Sequence, residues 1–133
     1  MIEALAIGRA YGSIKAVDEV SLQIGQGEIV ALLGPNGAGK TTCMRLISGF
    51  LRPDRGRALI AGFDSSRSPM QARQALGYMP EHAPVYREST VLAFLRFIAG
   101  ARGMPAARAK AAIDDMLGRL DLDAIAYRDV GTL

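Results

Sequence analysis

The chain has 133 residues, which is enough for one domain with a hydrophobic core and too few for two. Half of the residues are hydrophobic and 22% are charged, a globular composition that argues against disorder. The net charge of +3 arises from basic residues scattered along the chain. Nucleic-acid interfaces usually show a basic stripe or run, so no nucleic-acid partner is expected.

Neither export nor a membrane span is predicted. The N-terminus lacks the basic flank and apolar stretch of a signal peptide. The longest apolar segment, at residues 91–101, contains Arg96 and is shorter than the ~20 residues that cross a bilayer. The single cysteine, Cys43, fits a reducing compartment and is expected to be a buried small residue rather than a reactive thiol. We expect a cytoplasmic chain that meets a membrane only through a partner.

The first third of the chain predicts a strand, a glycine loop and a helix in succession. Alternation of apolar and polar residues at 20–24 predicts a half-buried strand. The continuous apolar run at 29–33 predicts a strand buried on both faces of a parallel sheet. A glycine-rich loop follows at 34–39, and helical spacing of apolar residues predicts a helix over 40–50.

The rest of the chain changes from mixed to helical character. Short strands are predicted at residues 58–61 and 76–79. Apolar residues at helical spacing predict helices within residues 90–122, and Pro105 suits the first turn of the second helix. The prediction is an α/β core to about residue 79 with an all-helical segment after it.

The glycine loop carries the strongest functional signal. Residues 34–41 match the pattern G-x-x-x-x-G-K-[ST] and lie between a predicted strand and a predicted helix. Glycines let backbone N–H groups approach phosphate oxygens, and the helix N-terminus adds unpaired N–H groups and its dipole. Lys40 can place its charge on the β- and γ-phosphates, and the Thr41 hydroxyl can ligate Mg²⁺. The alternative is a glycine turn with a purely structural role.

Two other classes of phosphate-loop protein are disfavoured. Asn36 is the only asparagine, so the chain has no Asn-Lys-x-Asp motif to recognise guanine. About thirty β-rich residues precede the loop, whereas a small-molecule kinase usually begins with the phosphate-loop strand. The loop by itself does not choose among GTPases, kinases and ATPases.

Residues 34–42 closely resemble the phosphate loop of ABC transporter nucleotide-binding subunits. The resemblance continues through the whole chain, in Tyr11-Gly12 and residues 16–22, 27–29, 47–49, 53–56 and 76–81. It implies that Tyr11 stacks on adenine, with a strand-edge core tyrosine as the alternative. It also implies that Thr41 holds Mg²⁺ and that Thr42 bonds the α-phosphate. The implied nucleotide-binding residues are Tyr11, Gly34, Pro35, Asn36, Gly37, Ala38, Gly39, Lys40, Thr41 and Thr42.

The implied fold class is α/β: a P-loop NTPase core with an antiparallel β-subdomain at the N-terminus and the start of a helical subdomain. Residues 1–133 would form a single, partial and truncated ABC-type nucleotide-binding domain, with the core at 1–80 and the Q-loop and helical subdomain at 81–127. The family's signature motif, second acidic motif and switch histidine are missing. No catalytic residue is therefore expected in this chain, and alone it is not expected to turn over ATP.

Glu81 falls where most relatives carry the Q-loop glutamine. A carboxylate there would add a second Mg²⁺ ligand beside Thr41, whereas the alternative is a solvated loop carboxylate. Together with Tyr86 and residues 91–95, this sequence resembles the ABC-2 type exporter branch. His82 cannot stand in for the switch histidine and is expected to be an exposed loop residue.

The resemblance implies an ATP-binding subunit that couples MgATP binding and hydrolysis to transport. Its partners would be a membrane-spanning ABC subunit and a second nucleotide-binding subunit in a head-to-tail dimer. Such a subunit lies peripherally at the cytoplasmic face of the membrane. Two alternatives stay open: a soluble ABC-type ATPase acting on nucleic acid or the ribosome, and a non-catalytic truncated remnant.

Overall fold

The computed structural model describes residues 1–81 and 85–133. The chain forms two compact units, Met1–Tyr78 and Met79–Leu133. The first unit contains a β-sheet and the glycine loop, and the second contains the helical segment. Within these described residues, no helix combines the length and the apolarity needed to cross a membrane.

The first unit is built around an antiparallel sheet with the strand order β2-β1-β3-β4. The strands are β1 (Ile2–Tyr11), β2 (Ile14–Ile24), β3 (Arg55–Ile60) and β4 (Phe63–Asp64). Gly12 lies in the two-residue turn between β1 and β2 at φ 60°, a left-handed conformation that glycine adopts without strain. Residues 20–24 alternate between half-buried and exposed, so the predicted half-buried strand is confirmed. β3 confirms the strand predicted at 58–61 and begins earlier, at Arg55.

The helix predicted at residues 40–50 is confirmed as α1 (Lys40–Ile47), which packs on the sheet. It ends earlier than predicted, where the Ser48 hydroxyl donates to a backbone carbonyl of the last turn. Leu46 of α1 and Ile7 of β1 are both fully buried. The core of the unit consists of Ala4, Ile7, Val17, Cys43, Leu46 and Ile47. This packing fixes α1 on the sheet, and with it the start of the helix.

Two predicted strands are wrong. Residues 29–33 and 76–79 form neither helix nor strand, and Ile29 is fully exposed. A strand buried in a parallel sheet needs hydrogen-bonding neighbours on both sides. The sheet in the described part of the chain pairs only β1 to β4 with one another, so the run at 29–33 lacks such neighbours. A short helix, α2 (Pro69–Gln74), occupies a segment for which no element is predicted.

The all-helical prediction for residues 90–122 is confirmed in the second unit. The unit contains α3 (Val91–Ala101) and α4 (Ala106–Arg119), followed by short 3₁₀ turns at Asp123–Ile125 and Val130–Thr132. The apolar faces of both helices meet in a small core of Ala99, Ile113, Leu117 and Ala126. The apolar stripes of this segment are therefore core, as their helical spacing predicts.

Thr90 is the N-cap of α3, because its hydroxyl accepts a hydrogen bond from Ala93 N–H at 3.2 Å. We expect Thr90→Ala to destabilise α3 by about 0.5–2 kcal/mol, since an N–H of the first turn loses its acceptor. Native-state hydrogen exchange should then be faster at Ala93, while Thr90→Ser, which keeps the hydroxyl, should exchange like the parent chain. Equal exchange at Ala93 in all three proteins would show that the cap does not stabilise the helix.

Candidate functional site

The glycine loop at residues 34–39 leads directly into α1. The first helical hydrogen bond runs from Cys43 N–H to the Gly39 carbonyl at 2.8 Å. The N–H groups of Lys40, Thr41 and Thr42 precede that bond and have no intrahelical acceptor. The first turn of α1 contains no acidic residue. These N–H groups and the positive end of the helix dipole can therefore bind an anion such as a phosphate.

Two glycines of the loop share a backbone conformation that favours glycine, and one of them is also closely packed. Gly37 and Gly39 have φ angles of 83° and 84°, in the left-handed region that strains other residues. A Cβ at Gly39 would lie 2.0 Å from the Ala16 carbonyl oxygen of β2. A Cβ at Gly37 would meet nothing within 4 Å. Gly39 thus lets the loop lie against β2, whereas Gly37 leaves open space above the loop.

The Lys40 side chain folds back over the loop. Its Nζ donates to the carbonyl oxygens of Gly34 and Pro35, both at 2.6 Å. An ammonium group has three donors, so one donor remains for a ligand. The loop therefore holds a positive charge beside the unpaired N–H groups of the helix start.

Thr41 and Thr42 lie in the first turn of α1, where Thr41 is exposed and Thr42 is half-buried. An exposed hydroxyl is a hard oxygen donor of the kind Mg²⁺ accepts. The described residues contain no cluster of three His, Cys, Asp or Glu side chains that could hold a metal ion.

Tyr11 is the last residue of β1, and 49% of its surface is exposed. The alternative of a core tyrosine is therefore wrong. The Arg9 guanidinium carbon lies 5.4 Å from the centre of the Tyr11 ring, within the range of a cation–π contact. The ring is accessible for stacking, although its described contacts do not include the glycine loop.

The remaining predicted residues lie in different settings. Glu81 is exposed and belongs to the second unit, whereas the glycine loop belongs to the first. His82 lies outside the described residues. Cys43 is buried in the core of the first unit, and burial raises the pKa of its thiol. The prediction that Cys43 is a small core residue is confirmed.

A glycine loop that leads into a sheet-packed helix, with a lysine as the first residue of that helix, is the phosphate-binding motif of P-loop NTPases. The family model described as "ABC transporter" matches residues 17–133. The chain belongs to the ABC transporter family, as the resemblance of residues 34–42 implies. A solved structure described as the ATP binding subunit of an ABC transporter superposes with a TM-score of 0.85 at 30% identity. It aligns with 96% of this chain, which spans 53% of that structure's length.

Curated relatives carry names of the same kind. The chain is 42% identical over 104 residues to YbhF of Escherichia coli, a probable multidrug ABC transporter ATP-binding protein. It is 40% identical over 131 residues to CysA of Bordetella pertussis, a sulfate/thiosulfate import ATP-binding protein. The alignments cover 78% and 96% of this chain but only 18% and 37% of the relatives. The predicted family and P-loop fold class are confirmed, and the chain corresponds to part of the relatives' length.

Sequence reasoning missed one feature that positions the loop. The Ala16 carbonyl lies so close to Gly39 that no side chain fits between them. The alternation in β2 predicts a strand but not the element that packs against it. From the motif, Gly39 is predicted to let the backbone approach a phosphate. Its packing against β2 is visible only in the structure.

Proposed function

We propose that this chain is the nucleotide-binding part of an ATP-binding subunit of an ABC transporter. One observation carries the proposal: Lys40 holds its ammonium over the glycine loop, and the N–H groups of Lys40, Thr41 and Thr42 have no acceptor among the described residues. This combination of charge and N–H donors suits the phosphates of ATP. Family membership supports ATP as the ligand, since the relatives are named as ATP-binding proteins.

Each predicted ligand residue has a proposed role on the nucleotide. The loop at residues 34–39 and the start of α1 surround the phosphates through their backbone N–H groups. Lys40 binds the β- and γ-phosphates, Thr41 provides a hydroxyl to Mg²⁺, and Thr42 bonds the α-phosphate. Tyr11 supplies a half-exposed ring for the adenine, a stacking contact of about 1–3 kcal/mol. When bound, Mg²⁺ would neutralise charge on the phosphates.

The partners we propose are a membrane-spanning ABC subunit and a second nucleotide-binding subunit in a head-to-tail dimer. The chain would then lie at the cytoplasmic face of the membrane. The relatives' names divide between a probable multidrug transporter and a sulfate/thiosulfate importer. The proposal is therefore confined to what those proteins share, the use of ATP to drive transport by a membrane partner.

Calorimetric titration of the purified chain with MgATP tests the proposal. We expect one saturable site, from which ADP displaces ATP because both nucleotides present a β-phosphate to Lys40. Sodium chloride at the same ionic strength should leave the isotherm nearly unchanged, since screening weakens only contacts between exposed charges and the site also binds through backbone N–H groups. No heat of binding, or heat that chloride removes, would contradict the assignment.

Glu81 is proposed as a second oxygen ligand of the Mg²⁺ that Thr41 also holds. In the assembled ATPase, Glu81→Gln should raise several-fold the Mg²⁺ concentration for half-maximal hydrolysis, because an amide is a weaker ligand than a carboxylate. Metal-free nucleotide binding should change little. Glu81→Ala should raise the requirement further and uncouple hydrolysis from transport.

Glu88→Gln removes another exposed carboxylate of the same unit and serves as the control. Superimposed magnesium titrations for all of these proteins would leave Glu81 as a solvated carboxylate.

A further inference from the structure

A second charged cavity lies in the first unit, formed by residues that are not part of the glycine loop. The cleft has a volume of about 510 Å³ and is lined by four arginines and two aspartates. Arg52 follows α1, Arg55 and Arg57 belong to β3, and Arg67 follows β4. We call this the arginine cleft. The cavity beside the glycine loop, which Lys40 lines, shares no residue with it.

Both aspartates of the arginine cleft already have partners. Asp54 accepts from Ala10 N–H at 2.8 Å and from Arg9 Nη1 at 2.6 Å. These donors, the Ala10 N–H above all, hold the pKa of Asp54 below its ordinary value. One oxygen of Asp64 accepts from two backbone N–H groups of the turn that follows it, at 2.8 and 3.1 Å. Among the described residues, neither carboxylate forms an ion pair with a guanidinium group of the cleft.

The arginines of the cleft differ from one another in their partners. Arg55 forms ion pairs with Asp18 and, at 3.2 Å, with Glu19. Among the described residues, the guanidinium groups of the other three have no hydrogen-bond or ion-pair partner. Three segments of the chain thus bring three guanidinium groups without ion-pair partners to one cavity, which the Asp54 and Asp64 carboxylates also line.

We infer that the arginine cleft is a second anion site, which binds phosphate or a small phosphomonoester through Arg52, Arg57 and Arg67. The three arginine side chains are exposed, and positive charges directed to one cavity favour the binding of an anion there. Guanidinium groups present paired N–H donors that match two oxygens of a phosphate, and this geometry makes arginine a preferred phosphate ligand. The volume of the cleft falls within the range of small-molecule sites.

Close packing of β3 on β1 fixes the backbone that carries Arg55 and Arg57. Gly56, between Arg55 and Arg57, has a φ of 72°, and a Cβ there would lie 2.3 Å from the carbonyl oxygens of Leu5 and Ala6. β3 therefore lies against β1 with an irregular register at this point. This irregularity interrupts the regular alternation of side chains between the two faces of the strand.

Amide chemical shifts of the isotopically labelled chain, followed during titration with inorganic phosphate, test the inference residue by residue. We expect saturable shifts at Arg57 and Arg67, separate from any shifts at Gly37 or Lys40 in the glycine loop. Arg57→Ala/Arg67→Ala should weaken phosphate binding at the cleft by at least about tenfold, because two charge-assisted contacts are lost. Arg57→Lys/Arg67→Lys keeps the positive charges but removes the paired N–H donors of the guanidinium groups, and should weaken binding by a smaller factor.

The matched control is Arg73→Ala/Arg108→Ala, which removes the same charge from exposed positions that do not line the cleft. It should bind phosphate at the cleft like the parent chain. Sodium chloride at equal ionic strength should not reproduce the shifts. Non-saturable shifts, shifts reproduced by chloride, or equal weakening in the cleft and control variants would overturn the inference.

A second arm identifies the source of the phosphate group. Vesicles of phosphatidylcholine with and without phosphatidic acid are sedimented with the parent chain and both double alanine variants. Retention that depends on phosphatidic acid and is lost only in the cleft variant assigns a lipid headgroup. Saturable phosphate binding without vesicle retention assigns a free phosphate or phosphomonoester. Absence of both responses overturns the site, whatever the outcome of ATP binding at the glycine loop.

Discussion

Lys40→Ala is expected to weaken ATP binding by about 2–4 kcal/mol, because a charge-assisted phosphate contact is lost and nothing replaces it. This corresponds to a loss of about 30- to 700-fold in affinity. Lys40 Nζ donates to the carbonyls of Gly34 and Pro35 at 2.6 Å. Those two hydrogen bonds hold the ammonium over the loop, which limits the side-chain ordering that binding requires.

The same hydrogen bonds define the controls. Removing Lys40 also releases two loop carbonyls, so a change in loop structure has to be separated from the loss of charge. Lys40→Arg keeps a positive charge but places a planar group where an ammonium fits, and should recover only part of the affinity. Lys110→Ala removes an exposed lysine of the second unit, paired there with Asp114, and should bind ATP like the parent chain. Unchanged calorimetric affinity in Lys40→Ala would disprove the phosphate-loop assignment.

The sequence predicts the local parts of this fold well, because those parts are determined by neighbouring residues. The spacing in residues 34–41 requires a loop that ends at a helix, and α1 begins at Lys40 as expected. The apolar periodicity after residue 90 likewise predicts α3 and α4, whose stripes meet in a core of their own. In both cases the interactions that stabilise the element lie within one helix or between adjacent helices.

Prediction fails where an element depends on partners far away in the chain. Residues 29–33 have the composition of a buried parallel strand, yet Ile29 and Leu33 are 100% and 87% exposed. A parallel strand is formed by hydrogen bonds to its neighbours, and no pattern within five residues can supply them. The antiparallel pairs of β1 to β3 also show irregular register, at Ala4 to Gly8, that the alternation of apolar residues does not indicate.

The candidate site shows the same division. The motif identifies the loop, Lys40 and the two threonines, because their function depends on residues close in sequence. The arginine cleft combines arginines at residues 52–57, which are already close in the sequence, with Arg67 from the turn after β4, which only the fold brings to them. The sequence therefore predicts the site that a motif encodes, and the structure adds the site that folding brings together.

Gly39→Ala should be the most destabilising change in the loop, and Gly37→Ala is its matched control. Both glycines have nearly the same φ, 84° and 83°, so alanine costs each about 1–2 kcal/mol of backbone strain. Only at Gly39 does the new methyl group collide with backbone, 2.0 Å from the Ala16 carbonyl oxygen. Overpacking of that kind adds about 1–3 kcal/mol, so Gly39→Ala should lower the free energy of unfolding by about 2–5 kcal/mol in total.

ATP affinity should order these two variants in the opposite way from stability. Gly37→Ala should lose more ATP affinity than Gly39→Ala, although Gly39→Ala loses more stability. A methyl group at Gly37 enters the open space above the loop, where the proposed phosphates lie, and should reduce ATP affinity while costing only the backbone strain of about 1–2 kcal/mol. Gly27→Ala, at φ 80° with nothing within 4 Å and outside the loop, reports the effect of backbone strain alone on both quantities.

Urea unfolding and calorimetry on the three variants give the comparison. If Gly37→Ala and Gly39→Ala unfold at the same urea concentration, the loop does not depend on its contact with β2. If Gly37→Ala binds ATP as tightly as Gly27→Ala, the phosphates do not lie above Gly37.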